Sequence, residues 1–266
     1  MTFKKGDPMW VDLGSDQFES SKKFYTELFG WEFIDTGAEF GHYNIITLNG
    51  ERIGGAMNSL IGPEGPLEEA PTPNAWSIYF KADDIEKSVQ AVADAGGTVI
   101  FPPLNVGNMG KMAFVLDGAG AAFGLWEDGK DFQGSTVDQG IGTPTWFESM
   151  SKDLDAAIPV YQAAFNWEIG WMDTTESPVR YAFNSGDEAS ATAGLCDASS
   201  FLPDAVPFYW RVYFQVENTD TMIEKIQNLG GSILDGPMDS PYGRVATVAG
   251  PDGASFQIVD APSNNS

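Results

Sequence analysis

Cysteine and histidine are nearly absent from this sequence: among its 266 residues there is one of each, Cys196 and His42. A single cysteine excludes an intramolecular disulfide and is typical of a reducing compartment. A single histidine excludes zinc and iron sites built from two or three imidazoles. The sequence also lacks a hydrophobic run of the ~18 residues that a membrane helix needs, and its N-terminal segment lacks the apolar stretch of a signal peptide. We therefore expect a cytoplasmic protein.

Basic residues are scarce as well. The chain has 14 lysines and arginines against 38 aspartates and glutamates, which gives a formal net charge of −24. A surface with this charge repels the phosphates of nucleic acids and of anionic lipids. We therefore expect neither a nucleic acid nor a membrane as a partner. Apolar residues make up 42 % of the chain, which is enough to form a packed core.

The sequence contains an internal repeat. Residues 8–32 align without gaps with residues 144–168, and they share tryptophans, a tyrosine, a phenylalanine and a terminal Trp-Glu at equal spacing. Residues 76–97 align in the same way with residues 210–231, and both segments end in Gly-Gly. A third pair, GKMAFVLDGAGAAFGLW and GRVATVAGPDGASFQIV, closes each half. Three matches in the same order indicate a duplicated domain.

Each half reads twice as a strand, a helix and three short strands. The sequence therefore predicts an α+β fold of four βαβββ modules. A segment rich in glycine, serine and threonine joins the halves and is typical of a linker. The predicted boundaries are 1–132 for the first domain (modules 1–62 and 74–130), 133–143 for the linker and 144–262 for the second domain (modules 144–200 and 208–262).

Local signals give further predictions about single residues. We expect Ser15 and Asp16 to cap the first helix and Gly30 to end it. His42 opens the apolar run HYNIITL and is expected to be an ordinary strand residue. Pro159 lies inside the predicted helix of the third module, where it removes a backbone hydrogen bond. That helix is therefore expected either to kink at Pro159 or to begin late.

Three motifs carry a resemblance to a known family: FYTELFGWE at 24–32, DGAG at 117–120 and PDG at 251–253. They resemble the vicinal oxygen chelate superfamily, which includes glyoxalase I, extradiol dioxygenases and bleomycin resistance proteins. The segments WVDLG, WSIYF and NMGKMAF look most similar to a two-domain actinobacterial branch of glyoxalase-like proteins and hydroxylases. The resemblance implies two tandem glyoxalase/bleomycin-resistance-type domains, each with mixed sheets that form a cup.

The resemblance also implies where a metal would be held: by a histidine or glutamine on the first strand of each module and by a glutamate on the last strand. In this sequence the four glutamate positions fall at or near Gly55, Gly124, Gly194 and Gln257. A glycine offers no side-chain ligand, and the nearby cation Arg211 would repel a metal ion. We therefore expect no metal site of the family type and no cofactor.

Alternation along the strands indicates which side chains face the cups. We expect Asp12 to pair with Lys81 in the first cup and Glu148 with Arg211 in the second. A carboxylate desolvated beside indole rings can exchange a proton near neutral pH, so Asp12 and Glu148 are candidate general acids or bases. The alternative is that both ion pairs are structural. The other residues expected to bind a ligand are Trp10, Met57, Tyr79 and Trp126 in the first half and Trp146, Cys196, Tyr213 and Gln257 in the second.

These residues favour a metal-independent protein that binds an aromatic or polyketide-like small molecule in apolar cups, either to sequester it or to assist a hydroxylation. A second interpretation is a metal-dependent glyoxalase, lyase or dioxygenase, which the resemblance favours and the number of ligands opposes. A third is an interaction protein without enzymatic activity. The three interpretations remain open at this point. Because the modules are already fused in one chain, we expect a monomer or a weak homodimer.

Overall fold

The structure is a computed structural model and describes residues 3–62, 65–132, 134–135, 140–173 and 179–260. The predicted α+β fold of four βαβββ modules is confirmed. The predicted linker at 133–143 lies partly outside the described residues. No helix in the described part of the chain combines the length and the apolarity needed to cross a bilayer.

The modules follow one another along the chain. The first comprises β1 (Pro8–Ser15), α1 (Phe18–Phe29), β2 (Glu32–Asp35), β3 (Asn44–Leu48) and β4 (Glu51–Asn58), and is followed by the short strands β5 (Ile61–Gly62) and β6 (Gly65–Pro66). The second comprises β7 (Ala75–Lys81), α2 (Ile85–Asp94), β8 (Thr98–Asn105), β9 (Gly110–Leu116) and β10 (Ala122–Asp128).

The second sequence half repeats this order. The third module comprises β11 (Pro144–Ser151), α3 (Leu154–Phe165), β12 (Gly170–Trp171), β13 (Tyr181–Phe183) and β14 (Gly194–Asp197). The fourth comprises β15 (Tyr209–Val216), α4 (Thr219–Asn228), β16 (Ser232–Ser240), β17 (Gly243–Ala249) and β18 (Ser255–Asp260). Short 3₁₀ helices lie at Ala38–Phe40, Gly107–Met109 and Glu188–Ser190.

Every module has the same strand order. In the first module β2, β3 and β4 pair antiparallel, and β1 lies parallel beside β4, which gives the order β2-β3-β4-β1. The other modules have the orders β8-β9-β10-β7, β12-β13-β14-β11 and β16-β17-β18-β15. Parallel neighbours need a long crossover connection, and here the helix lies within it. The first strand of each module is therefore the direct neighbour of the last.

The chain divides into two compact units, each of which combines segments from both sequence halves. One consists of Met1–Met9, Ser77–Gly134 and Trp146–Arg211, and the other of Trp10–Trp76, Ser135–Thr145 and Val212–Ser266. Helices α2 and α3 pack together in the first unit, and α1 and α4 in the second. The repeat in the sequence therefore shows what the modules are, but not which helices pack against each other.

The residues that the two halves share form the aromatic cores of these units. Tyr161 stacks on Trp167 with ring centroids 5.0 Å apart, and Tyr25 stacks on Trp31 at 5.2 Å. These are the tyrosines and tryptophans that align in the repeat. Aromatic pairs at such distances add to the stabilisation that burial provides. Packing in the core, and not a catalytic role, therefore explains why both halves carry this tyrosine and tryptophan.

A hydrogen-bonded node lies in the core of the first unit. The Tyr161 hydroxyl donates to Asp117 Oδ2 at 2.7 Å and accepts from Trp210 Nε1 at 2.8 Å. Asp117 Oδ1 also accepts backbone N–H groups of the DGAG turn, from Ala119 and Gly120 among others. Burial, followed by the charge of Asp117, raises the pKa of Tyr161 well above its ordinary value. The phenol therefore stays neutral and ties α3 to the turn before β10.

We expect Tyr161→Phe to lower the free energy of unfolding by about 1–3 kcal/mol, because a buried acceptor and a buried donor both lose their partner. Asp117 is only 2 % exposed, so water cannot replace the hydroxyl. Equilibrium urea denaturation at neutral pH measures the change. A loss below about 0.5 kcal/mol would show that the node is not stabilising.

The same variant also tests the raised pKa. Above pH ~10 the unfolded chain releases the Tyr161 proton while the folded chain keeps it, so stability falls as the pH rises. One such group contributes a slope of about 1.4 kcal/mol per pH unit. We expect the stability of the phenylalanine variant to fall less steeply than that of the original protein above this pH.

The predicted cap of the first helix was wrong. Ser15 pairs with Asn58 as the last residue of β1, and Gln17 stands at the N-cap without a side-chain hydrogen bond to the helix. Asp16 instead binds Asn74, whose Nδ2 donates to Asp16 Oδ1 at 2.6 Å. The pairing of β1 with β4 therefore keeps Ser15 in the strand, and Asn74 binds the carboxylate that was expected to cap the helix.

Three other local predictions have different outcomes. Gly30 ends α1 as predicted, with φ 77° and its N–H bonded to Thr26 O at 2.9 Å. His42 is not a strand residue: it is an exposed turn residue with φ 58°, and its Nδ1 lies 2.9 Å from Asp35 Oδ2. The helix that contains Pro159 does not begin late, since α3 starts at Leu154 and runs through the proline.

Candidate functional site

In every module, one residue of the first strand lies directly beside the position that the resemblance assigns to a glutamate. The four pairs are Asp12 with Gly55, Tyr79 with Gly124, Glu148 with Gly194, and Tyr213 with Gln257. All four first-strand residues belong to the set that alternation predicted to face the cups. The parallel pairing of the first and last strands sets this register.

Three of these positions are glycines covered by a tyrosine ring. A Cβ atom at Gly55 would overlap the hydroxyl of Tyr43, and one at Gly194 would overlap the hydroxyl of Tyr181. A Cβ atom at Gly124 would overlap the ring of Tyr79. Glycine in a strand commonly marks such a close approach. A glutamate would not fit at these three positions while the tyrosines stay where they are.

The Asp12 cluster consists of Trp10, Asp12, Tyr43 and Gly55 in the first module. Trp10 Nε1 donates to the Tyr43 hydroxyl at 2.8 Å, and this hydroxyl lies 3.4 Å from Asp12 Oδ2. The second contact is longer than the usual 2.5–3.0 Å of an O–H···O hydrogen bond and is therefore weak. Trp10 and Asp12 are both buried. The cluster places a phenol and a carboxylate side by side.

The Glu148 cluster consists of Trp146, Glu148, Tyr181, Gly194 and Arg211. Trp146 Nε1 donates to the Tyr181 hydroxyl at 3.0 Å, as its counterpart does in the Asp12 cluster. Arg211 Nε donates to Glu148 Oε2 at 2.6 Å, and its Nη2 forms an ion pair with the same oxygen. Glu148 is only 5 % exposed. The structure thus brings together the acid and the base that were expected to pair in the second half.

The charged residues of the first half are arranged differently. Lys81 at the end of β7 forms an ion pair with Asp128 at the end of β10, the last strand of the same module. The predicted pair of Asp12 with Lys81 stays a prediction. Trp126 is buried and meets Tyr79 edge to face, with ring centroids 6.3 Å apart. Met57 was expected to line a cup and is 39 % exposed.

Cys196 is buried beside the Glu148 cluster, where Tyr181 and Tyr209 pack against the small core cluster that contains it. Burial, followed by the charge of Glu148, raises the pKa of the Cys196 thiol to about 12. Only the thiolate is a strong nucleophile. At neutral pH the thiol stays protonated, which favours a packing role over a catalytic one.

Tyr43 and Tyr181 are the residues that the sequence interpretation missed. Tyr43 immediately precedes β3 and Tyr181 is the first residue of β13, and each of these strands pairs with the strand that carries the glycine. Extending the repeat alignment into these strands with a gap of two residues could have found them, because both halves then have a tyrosine there. Their position over a glycine becomes visible only when the strands are paired.

Comparison with known proteins agrees with this architecture. The sequence matches the profile of the Glyoxalase/Bleomycin resistance protein/Dioxygenase superfamily twice, over residues 9–125 and 144–258. The chain belongs to this superfamily. The resemblance inferred from the motifs is thereby confirmed, as is the prediction of two tandem glyoxalase-type domains.

Relatives cover nearly the whole chain. CFP32 of Mycobacterium bovis, whose name assigns it provisionally to the glyoxylases, is 33 % identical over 260 residues, which is 97 % of this chain and 95 % of that protein. The anthracycline biosynthesis protein DnrV of Streptomyces peucetius is also 33 % identical, over 97 % of this chain and 94 % of its own length.

Solved structures show the same superfamily fold at low sequence identity. The Mn(II)-bound glyoxalase of Novosphingobium aromaticivorans has a TM-score of 0.64 at 15 % identity and matches 97 % of this chain and 82 % of its own. A catechol 2,3-dioxygenase has a TM-score of 0.59 at 11 % identity and matches 99 % of this chain and 96 % of its own. Identities this low show the fold alone.

The metal site implied by the superfamily does not fit the residues present here. Three of its four glutamate positions are glycines whose space a tyrosine fills, and the fourth is an amide. The sole histidine, His42, lies in an exposed turn next to Asp35. Arg211 neutralises Glu148 in the one cluster that joins an acid to a base. Divalent ions bind to anionic oxygen or imidazole ligands, which these positions do not assemble.

Among the described residues, one group of three carboxylates lies within ligand distance of each other: Asp84, Glu86 and Glu127 at the start of α2. Lys111 Nζ lies 2.9 Å from Glu86 and 3.6 Å from Glu127. Glu127 also accepts the backbone N–H of Ile85 at 2.8 Å. Glu86 and Glu127 therefore contact the Lys111 ammonium group, and Glu127 also binds the first N–H group of α2. This arrangement does not resemble a metal centre.

Proposed function

We propose that the protein binds a planar aromatic small molecule with oxygen substituents, and that it does so without a metal ion at the superfamily's positions. The observation that carries the proposal is the tyrosine ring over the glycine in three of the four modules. These rings put phenols where a glutamate ligand would stand. Phenol and indole rings bind aromatic molecules by stacking and edge contacts, and each offers one polar group.

The composition of the two clusters supports this ligand class. Each combines an indole, a phenol and a carboxylate, and the carboxylates Asp12 and Glu148 are buried. Small-molecule sites are typically apolar with a few placed polar groups. The relative DnrV is named for anthracycline biosynthesis, and anthracyclines are oxygenated aromatic polyketides. The ligand proposed for this chain belongs to the same chemical class.

Asp12 and Glu148 are the groups that we propose for proton exchange with the ligand. In the Asp12 cluster the carboxylate lies beside a phenol, and in the Glu148 cluster it lies against a guanidinium. A carboxylate in contact with a ligand hydroxyl can take or return its proton. Sequestration of the ligand and assistance to a hydroxylation both fit a site of this kind.

Two measurements test the proposal. In the first, tryptophan fluorescence is titrated with a panel of anthraquinones and simpler phenols, with and without a chelator. We expect saturable quenching by anthraquinones that the chelator leaves unchanged. In the second, the metal content of the purified protein is determined by mass spectrometry. One tightly held transition metal per domain, together with binding that the chelator abolishes, would favour the metal-dependent alternative instead. Failure of every aromatic compound to bind would contradict the proposed ligand class.

A further inference from the structure

The fourth module differs from the other three at the glutamate position. Here the residue is Gln257, which carries a side chain of its own, and Tyr213 lies beside it on β15. Its strand neighbours Phe256 and Ile258 are fully buried, and Phe256 contacts the rings of Phe24 and Phe214 in the aromatic core of its unit. Because successive side chains in a strand point to opposite faces, Gln257 lies on the face turned away from that core.

One end of the Gln257 amide is held and the other is not. Thr247 Oγ1 lies opposite on β17 and donates to Gln257 Oε1 at 2.8 Å. Gln257 Nε2 is buried and has no hydrogen-bond partner among the described residues. The whole residue is only 2 % exposed. Thr247 thereby fixes which end of the amide is the bound Oε1 and which is the unpaired Nε2.

An unpaired buried donor is costly and needs an explanation. Leaving such a group without a partner costs about 1–3 kcal/mol, and native structures contain few of them. A leucine of similar size would avoid this cost. A bound oxygen atom that accepts the N–H would also remove it, and this favours a ligand-binding role for the amide.

We infer that the Gln257 amide donates a hydrogen bond to a neutral carbonyl oxygen of the ligand, such as that of a quinone. This inference rests on the proposed function and specifies the chemical class further. The amide is uncharged, and so are its neighbours Tyr213 and Thr247, so a neutral acceptor matches this face better than an anion does. A metal ion would bind Oε1 and not an N–H group, so the unpaired Nε2 favours an acceptor atom over a metal.

The test uses a matched pair of probes, an anthraquinone and an anthracene that carry the same aminomethyl group. The two share the three fused rings and the positive charge but differ in the carbonyl oxygens. We expect the original protein to bind the quinone more tightly in a fluorescence titration. We expect Gln257→Leu to weaken quinone binding about tenfold and to leave anthracene binding unchanged, because one hydrogen bond to the ligand is lost.

Stability measurements separate this role from a structural one. If the amide serves the ligand, Gln257→Leu leaves the free protein as stable as before or more stable, since an unpaired donor is removed. Thr247→Val, which releases the amide from its orientation, should also weaken quinone binding selectively, but less. The conservative Tyr242→Phe, at an exposed site, is the control and should change neither affinity.

Each other result has a definite meaning. If Gln257→Leu weakens the binding of both probes equally and also lowers the stability of the protein, the amide is structural. This result would overturn the inference but not the proposed function. The inference is also overturned if Gln257→Leu leaves the affinity for the quinone unchanged. If the original protein binds neither probe, the proposed function fails, and the inference fails with it.

Discussion

Replacing Arg211 with methionine is expected to lower the free energy of unfolding by about 3–5 kcal/mol, the usual cost of removing one partner from a buried ion pair. The substitution would take away the Nε and Nη2 groups of Arg211, which contact Glu148 Oε2. Methionine keeps the apolar stem of the side chain, so little packing is lost. Glu148 would then be a buried carboxylate without its counter-charge. Urea denaturation followed by circular dichroism measures the effect.

Two further variants show whether the loss comes from the unpaired charge. Adding Glu148→Gln to Arg211→Met removes the second charge, and we expect it to restore most of the lost stability, since no ion is then left buried. Arg180→Met is the matched control: Arg180 lies 3.0 Å from Asp155 and 3.8 Å from Asp197, and its own side chain is 46 % exposed. It should cost no more than about 1 kcal/mol. If Arg211→Met lowers the free energy of unfolding by no more than this control does, the pair of Glu148 and Arg211 does not stabilise the protein as a buried ion pair.

Gly194→Ala is expected to destabilise the protein by about 1–3 kcal/mol, the range for overpacking in a well-packed region. The added methyl group would overlap the Tyr181 hydroxyl and ring, so the ring would have to move off the strand. The hydrogen bond from Trp146 Nε1 to this hydroxyl would be lost with that movement. Thermal unfolding gives the stability change, and tryptophan emission reports the altered surroundings of the indole.

A double-mutant cycle with Tyr181→Ala identifies the cause. Once the ring is absent, Gly194→Ala should be nearly neutral, and a coupling energy of about 1–2 kcal/mol is expected between the two sites. Gly186→Ala serves as the control, because a Cβ there meets only the end of the Glu168 side chain at an ordinary 3.4 Å. Equal costs for Gly194→Ala and Gly186→Ala would contradict the role assigned to the tyrosine ring.

The two clusters are related by the internal repeat but differ in charge. The position that aligns with Arg211 in the first half is Ser77, so the Asp12 cluster has no arginine at the equivalent place. Tyr43 approaches Asp12 there, with its hydroxyl 3.4 Å from Asp12 Oδ2. The halves therefore keep the same indole and phenol while the partner of the carboxylate has changed. We expect the two clusters to bind the same aromatic ligand with different affinities.

Much of the architecture could be predicted from the sequence because it depends on short-range patterns. Strands and helices follow from the spacing of apolar residues, and the repeat shows that the same module occurs four times. The residues beside the glutamate positions were found in the same way, since alternation along β1 and β11 places Asp12 and Glu148 on one face. The absence of histidine pairs and the glycines at these positions could also be read directly from the sequence.

Tertiary structure alone decided the contacts between residues that are far apart in the chain. The ring of Tyr181 covers Gly194 because β13 and β14 pair, and Lys81 meets Asp128 because β7 and β10 pair. The unpaired N–H of Gln257 likewise becomes visible only when its surroundings are complete. The sequence by itself determined the modules and the residue types on their faces. Which side chains touch was decided by strand register and side-chain direction, which local patterns do not contain.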